Sequence, residues 1–416
     1  MAARLPRLGN LARTSILVMF WQGVRMSCLA AWIILGARVL GATNYGLFSG
    51  TVGTASALAG LVGLGGGMLM YQYSTADHTQ FPRYWKQSLW LCMLTGVPLS
   101  LAFSLLTAGL LSWPAIGLIA LSEIIAFPIL TNAAFAFSAN DRLGWAAALP
   151  ALNAAMRLAA ICIFGFLPVN HDLTAYLMLH LASSACSAVL ALALVRVILH
   201  PASASMQVGR SDLLHGTGHA AAWSSAVAVT TLDKSFVLHA GGSEIAGLYA
   251  ACYRIAAVIA MPLDAMVMSA MPRLFRAQGN PPQHQRLIIS MILAATGYGA
   301  LGGLVLWSAA GVLPSVLGME FSAAIPGLQW MGLFVIGYSL RQIACHVLIG
   351  RGMKMHRFVI EAFGLVMMAV IAAALIPAHG LLGAVWMIIA AEALMAATAW
   401  LIVIFSPGRE GARVPS

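Results

Sequence analysis

The chain has 416 residues, 61% hydrophobic and 8% charged, with a mean hydropathy of +0.89. Soluble globular domains carry roughly 25% charge, so a soluble enzyme is excluded. Twenty-two Lys and Arg against twelve Asp and Glu give a formal net charge of +10, which in a membrane chain signals orientation before it signals nucleic acid.

About 20 apolar residues cross a hydrocarbon layer roughly 30 Å thick. Windows of about 19 residues predict spans over 14–36, 46–71, 87–109, 113–137, 144–166 and 173–199. A second set falls over 219–240, 246–271, 287–310, 323–349, 358–377 and 381–404. Arg4, Arg7 and Arg13 precede the first apolar run as they would in a signal peptide. That run contains Arg25 and is too long for a signal's apolar core, so an uncleaved span is expected.

The longest polar connection, residues 200–218, lies almost at the midpoint. The expectation is an all-α polytopic membrane protein of about twelve transmembrane helices in two pseudo-symmetric six-helix lobes. The lobes are residues 1–199 and 219–416, the second with a short cytoplasmic tail, and 200–218 form a cytoplasmic linker. Gly41-Ala-Thr-Asn-Tyr-Gly46-Leu-Phe and Gly242-Ser-Glu-Ile-Ala-Gly247-Leu-Tyr open corresponding spans, as a duplication would leave them.

With a cytoplasmic N-terminus, sixteen cations fall on the cytoplasmic side: Arg4, Arg7, Arg13, Arg83, Lys86, Arg142, Arg196, Arg210, Arg273, Arg276, Arg286, Arg351, Lys354, Arg357, Arg409 and Arg413. Only Arg38 falls outside. That bias predicts both termini in the cytoplasm.

Five cations remain inside spans: Arg25, Arg157, Lys234, Arg254 and Arg341. Each costs about 2.5 to 3.5 kcal/mol on insertion scales, which makes it a functional candidate. Glu123, Asp233, Asp264 and Glu392 are the available counter-ions or ion-coupling groups, four acids for five bases. A net positive interior is expected. Gln22 and Arg25 stand three apart, Asn153 and Arg157 four apart, and Tyr338, Arg341, Gln342, Cys345 and His346 form one broad stripe. Glu123 is the favoured coupling acid, because the first half offers no other buried acid to answer Arg25 and Arg157. His180 and His346 read as interior histidines bonded to helix carbonyls, and His171 lies in a loop.

Cys28, Cys92, Cys162, Cys186, Cys252 and Cys345 all sit in apolar stretches without a CxxC and read as core residues. No HxxxH or carboxylate partner stands at metal-ligand spacing. Gly63-Leu-Gly65-Gly66-Gly67 lacks the Lys-Ser/Thr of a phosphate-binding loop, so neither a metal nor a cofactor is expected and helix packing explains the glycines. Transport would then draw on an ion gradient or on substrate concentration. Pro98, Pro128, Pro262 and Pro326 are expected to kink spans, Pro262 above all.

The stretch Ala37-Arg38-Val-Leu-Gly41-Ala-Thr-Asn-Tyr45-Gly46-Leu-Phe resembles the first-loop signature of Wzx-like flippases of lipid-linked oligosaccharides. These form the polysaccharide-transporter branch of the multidrug/oligosaccharidyl-lipid/polysaccharide exporter superfamily. Asp233 with Gly247-Leu-Tyr249, Tyr253-Arg254, Pro262 and Pro272 is similar to that family's seventh and eighth helices. Leu317-Gly318-Met-Glu-Phe321 with Ala323-Ala324 resembles its loop before helix ten, and Leu348-Ile-Gly350-Arg-Gly352 the turn after it. The resemblance implies a two-lobed bundle alternating between inward-open and outward-open states around a cationic cavity. Its substrate would be an undecaprenyl-pyrophosphate-linked oligosaccharide for O-antigen, capsule or exopolysaccharide synthesis, flipped in the bacterial inner membrane.

Arginine forks bind phosphate oxygens bidentately, and four of the five span cations are Arg. Lys234 beside Asp233 is the one expected to be locally neutralised. The expected partners are the substrate, membrane lipids and a proton or sodium ion, without nucleic acid, in a monomer working near polysaccharide-assembly proteins. Two rival readings stand beside this non-enzymatic one: a multidrug or cation antiporter of the same superfamily, and a membrane-embedded acyltransferase or polymerase relying on His346.

Overall fold

The computed structural model describes residues 8–166, 172–202, 204–205, 209–276, 281–351 and 353–405. Arg4, Arg7, His171, Gly352, Arg409 and Arg413 lie outside the described residues. Among those described no β-strand forms. The helices are α1 (Leu8–Ala59), α2 (Gly66–Ala76), α3 (Phe81–Leu106), α4 (Trp113–Ile119), α5 (Phe127–Ala139), α6 (Leu143–Phe166) and α7 (Leu173–Leu194). They continue with α8 (Arg210–Arg276), α9 (Pro281–Ala309), α10 (Leu313–Leu317), α11 (Ile325–Gly350) and α12 (Lys354–Phe405). Two π-helical turns are fused to them, Ala120–Ala126 between α4 and α5, and Val195–Leu199 after α7.

Nine helical stretches among the described residues are long and apolar enough to cross a membrane. The three longest contain α1, α8 and α12, and each of these helices is broken at one glycine of non-helical dihedrals: Gly41, Gly242 and Gly380. Each of the three includes all or part of two predicted spans, so the nine stretches are compatible with about twelve; the predicted span 46–71 is interrupted after Ala59, where Gly63, Leu64 and Gly65 take positive φ before α2. The chain is a multi-pass membrane protein.

Gly41 (φ 70°, ψ 171°) and Gly242 (φ 82°, ψ 178°) adopt nearly the same conformation. Positive φ is nearly free for glycine and strained for other residues, so both repeats turn between spans on the same residue type. The contacts that follow are also related. A Cβ built on Gly46 would fall onto the Ser243 carbonyl oxygen, and one built on Gly247 would fall onto that of Ala42. Ala42 with Gly46, and Ser243 with Gly247, are two small-xxx-small pairs that let the backbones touch about a local pseudo-two-fold. Replacing Gly247 with Val is expected to lower stability by more than the roughly 1–3 kcal/mol typical of overpacking, since the obstruction is backbone. Thermal melting of the purified variant in detergent measures this.

Two segments of the family resemblance meet at the same place. Glu320 Oε2 accepts the Ala42 N–H at 3.1 Å, satisfying the first helical turn after Gly41, and Phe321 packs edge-on against Tyr45 at 6.4 Å. The break in helical dihedrals within α8 falls at Gly242, between its two predicted spans, while Pro262 keeps helical dihedrals. Pro128 and Pro326 open α5 and α11 where these continue from the π turn Ala120–Ala126 and from a 3-10 turn over Met319–Ala324. Pro98 and Pro262 lie in the interiors of α3 and α8.

By contacts the chain divides into two units. Unit 1 is Met1–Leu40 with Thr54–Val227, and unit 2 is Gly41–Gly53 with Ala228–Ser416. Within unit 1, aromatic and aliphatic side chains of α2, α3, α5, α6 and the end of α7 form one core, including Met70, Tyr84, Trp85, Phe137 and Leu149. Arg83 reaches Asp212 at 3.5 Å and Lys86 donates to the Ala204 carbonyl at 3.3 Å, tying the polar connection to α3. In unit 2, Trp307, Trp330 and Trp386 cluster with ring centroids 5.7 and 5.3 Å apart and remain partly exposed, as interfacial aromatics do.

Candidate functional site

Besides Asp212, which pairs with Arg83, unit 1 buries one other carboxylate among the described residues. The π-helical turn Ala120–Ala126 aims Glu123 inward, where it is 3% exposed. Its Oε1 lies 2.6 Å from Arg157 Nη2 of α6 and 2.8 Å from His180 Nε2 of α7, and it accepts the Ser122 hydroxyl at 3.3 Å. The same Nη2 donates to Ser184 Oγ at 3.1 Å. An ionised carboxylate only accepts, so His180 carries its hydrogen on Nε2 in this arrangement. The expected bond from His180 to a helix carbonyl is replaced by this one. The imidazole is stacked on Trp32 (6.2 Å) and tilted against Tyr176 (5.8 Å), and Trp32 Nε1 donates to the Tyr176 hydroxyl at 3.0 Å. Burying a full charge is tolerated only with such pairing, and this cluster supplies it from three elements.

Arg157 Nε is buried without a hydrogen-bond partner, so the guanidinium retains donor capacity. Asn153, one turn away, is buried on the same stripe. Arg25 of α1 is half-buried, and no carboxylate among the described residues lies within ion-pair distance of it. Gln22 on its stripe is exposed.

Unit 2 pairs two further candidate acids with candidate cations. Lys234 Nζ sits 2.8 and 2.9 Å from the two oxygens of fully buried Asp233, its sequence neighbour, and also donates to the Thr230 carbonyl at 2.8 Å. Tyr249 donates its hydroxyl to Asp233 Oδ2 at 2.7 Å. The ammonium lies 3.4 Å from the centroid of the Tyr253 ring, a cation–π contact, and Arg254 stands 5.3 Å from that of Tyr45. Farther along, Arg341 of α11 grips Glu392 of α12 bidentately, Nε to Oε2 at 2.6 Å and Nη2 to Oε1 at 3.2 Å. Asp264 pairs with no cation among the described residues; it accepts the Tyr338 hydroxyl at 3.0 Å on each oxygen and Gln342 Nε2 at 3.4 Å. A ladder of rings, Tyr249, Tyr253, Phe334 and Tyr338, joins the two clusters at spacings of 5.3–6.1 Å. His346 Nδ1 meets the Gln342 carbonyl at 2.7 Å, the carbonyl contact expected of it.

The structure thus groups Glu123 with Arg157, Asp233 with Lys234, and Glu392 with Arg341. Sequence reading missed Ser122, Ser184 and Trp32, and it placed Tyr249 and Tyr253 only in the family resemblance, not in the site. The i, i+4 spacing of His180 with Ser184 and of Tyr249 with Tyr253 is the signal that could have placed Ser184, Tyr249 and Tyr253 on their faces. A further buried acid, Glu361, is held by Arg357 at 2.8 Å one turn away. Among the described residues no group of three or more His, Cys, Asp or Glu could hold a metal, and all six cysteines are free.

This fold is that of transporters of the MOP superfamily. It superposes with a TM-score of 0.74 on the inward-facing conformation of a multidrug resistance MATE family transporter of that superfamily, at 15% identity over 91% of this chain and 96% of that one. The outward-facing conformation of such a transporter gives 0.61, at 15% identity over 94% and 93%. A MOP superfamily transporter from Pyrococcus furiosus, described as having a binding pocket of reverse polarity, gives 0.58 at 14% identity over 94% and 93%. No curated protein sequence matches the chain. Residues 11–278 match the family model described as polysaccharide biosynthesis protein, and the chain belongs to that family.

Proposed function

We propose that the chain is a secondary transporter that turns an undecaprenyl-pyrophosphate-linked oligosaccharide from the cytoplasmic to the periplasmic leaflet of the bacterial inner membrane by alternating access. It performs no bond-making step, and both termini are cytoplasmic. The lobes that rock are residues 1–199 and 219–416, joined by 200–218. One observation carries the reading: in a family of polysaccharide biosynthesis, Arg25 lies within a span with no carboxylate of the described residues at ion-pair distance. An intramembrane arginine in that state suits an anionic pyrophosphate and repels a drug cation. Arg157, Arg254, Arg341 and Lys234 complete the cationic set, with Glu123, Asp233, Asp264 and Glu392 as counter-ions that a coupling proton or sodium ion can relieve.

The Pyrococcus furiosus transporter, described as differing in pocket polarity and function, supports the view that this fold hosts pockets of either sign. The product would feed O-antigen, capsule or exopolysaccharide assembly, with a monomer working beside the assembly proteins.

The test is reconstitution in proteoliposomes loaded with the lipid-linked oligosaccharide, reading the lectin-accessible fraction. Wild type is expected to equilibrate the two leaflets. Arg25→Ala is expected to slow this by about tenfold to a hundredfold, the worth of a charge-assisted hydrogen bond of roughly 1.5–3 kcal/mol. Export of a cationic drug without movement of the oligosaccharide would overturn the reading.

A further inference from the structure

A cleft of about 360 Å³ runs between the end of α8 and the start of α9. Its walls are two helical stripes, Met266, Ser269, Ala270 and Arg273 on one side and Leu287, Ser290, Met291 and Ala294 on the other. Both follow the i, i+3, i+4, i+7 spacing of a single face. Such facing stripes ordinarily interdigitate, yet here small side chains on both helices leave room. One heptad rises roughly 10 Å, which sets the length of the groove.

Polarity along the groove is graded. Arg273 and Leu287 lie at the end where α8 stops and α9 begins, and Met266 and Ala294 lie at the other. Arg273 is exposed, has no ion pair among the described residues, and is the one charged group on the walls. Exposed Arg286 adjoins the same end. The two serines do not compete for an anion, because each turns its hydroxyl hydrogen into its own helix: Ser269 to the Met266 carbonyl at 2.8 Å and Ser290 to that of Leu287 at 2.7 Å. Water would find few partners along such walls. An ionic end and an apolar groove at a helix end match one amphiphile in particular.

We infer that this cleft binds an anionic membrane phospholipid, its phosphate against Arg273 and an acyl chain lying along Ala270, Met291 and Ala294 toward Met266. The site is separate from the buried pairs above and goes beyond the proposed transport function. Basic positions between transmembrane helices on the side proposed here as cytoplasmic are suited to acidic headgroups, each Lys or Arg near that surface contributing about 1 kcal/mol.

The experiment is native mass spectrometry of the full-length protein in detergent, titrated with phosphatidylglycerol or phosphatidylcholine. Wild type is expected to retain one more phosphatidylglycerol than phosphatidylcholine. Arg273→Gln is expected to weaken that adduct about fivefold. Ala270→Leu with Ala294→Leu fills the groove and is expected to remove it while leaving the charge in place, with melting temperature as the folding control. Equal retention of the two lipids by wild type, or an unchanged adduct in Arg273→Gln, would overturn the inference. So would preferential retention of undecaprenyl pyrophosphate over phosphatidylglycerol, which would make the cleft part of the substrate path; the proteoliposome flipping assay is read independently of all these arms.

Discussion

A Glu123→Gln variant is expected to move substrate at a rate that no longer responds to an imposed proton gradient, and to melt below wild type. Glu123 Oε1 receives Arg157, His180 and Ser122, so neutralising it strands a guanidinium that is nine-tenths buried. Losing one partner of a buried pair costs about 3–5 kcal/mol, and an amide that keeps some of the hydrogen bonds falls at the lower end. Stability and coupling separate in a second variant. Glu123→Leu with Arg157→Met removes both charges at similar volume, and such exchanges are often neutral or stabilising. It is expected to regain the melting temperature without regaining gradient dependence. Full gradient stimulation in Glu123→Gln would reduce the cluster to a structural brace.

The second large effect is expected at Arg341. Its pairing with Glu392 uses two parallel N–H donors, and both side chains are buried. Arg341→Ala is expected to destabilise unit 2 by about 3–5 kcal/mol. Arg341→Lys is expected to recover less than half of that, because an ammonium cannot reproduce the planar fork. Lys234→Ala should be milder, since Asp233 keeps the Tyr249 hydroxyl at 2.7 Å. Chemical or thermal unfolding of the three variants in the same detergent orders them, and a Lys variant as stable as wild type would show that geometry at Arg341 is unimportant.

Hydropathy locates the apolar helices because lipid demands long apolar runs, whatever the neighbours do, and the nine long stretches are compatible with about twelve spans. It does not reveal that α1, α8 and α12 each run through two spans. Gly41, Gly242 and Gly380 supply those turns by dihedral freedom, with no polar loop to interrupt the pattern. Burial cost singles out Arg157, Lys234, Arg341, Glu123, Asp233 and Glu392 from sequence alone. Their pairing is only partly legible. Lys234 and Asp233 are adjacent in sequence, whereas Arg341 and Glu392 are 51 residues apart and meet through packing of α11 on α12. His180 reads as an ordinary interior histidine, because nothing in its own helix indicates that a carboxylate 57 residues away faces it. Asp264, expected among the counter-ions, is held by a tyrosine and a glutamine from a stripe whose polar character is visible but whose target is not.

The π-helical turn that presents Glu123 makes the unit 1 cluster sensitive to a change of chain length. A π turn accommodates one residue more than the α-helix around it. Seen as heredity, the cluster stands one codon from an ordinary span: deletion of exposed Leu121 would let the segment run on as α-helix and swing Glu123 around the axis by up to about 100°, away from Arg157 and His180. A lineage could therefore acquire or discard this carboxylate's role through a single in-frame indel, with every side chain of the cluster left intact in the gene.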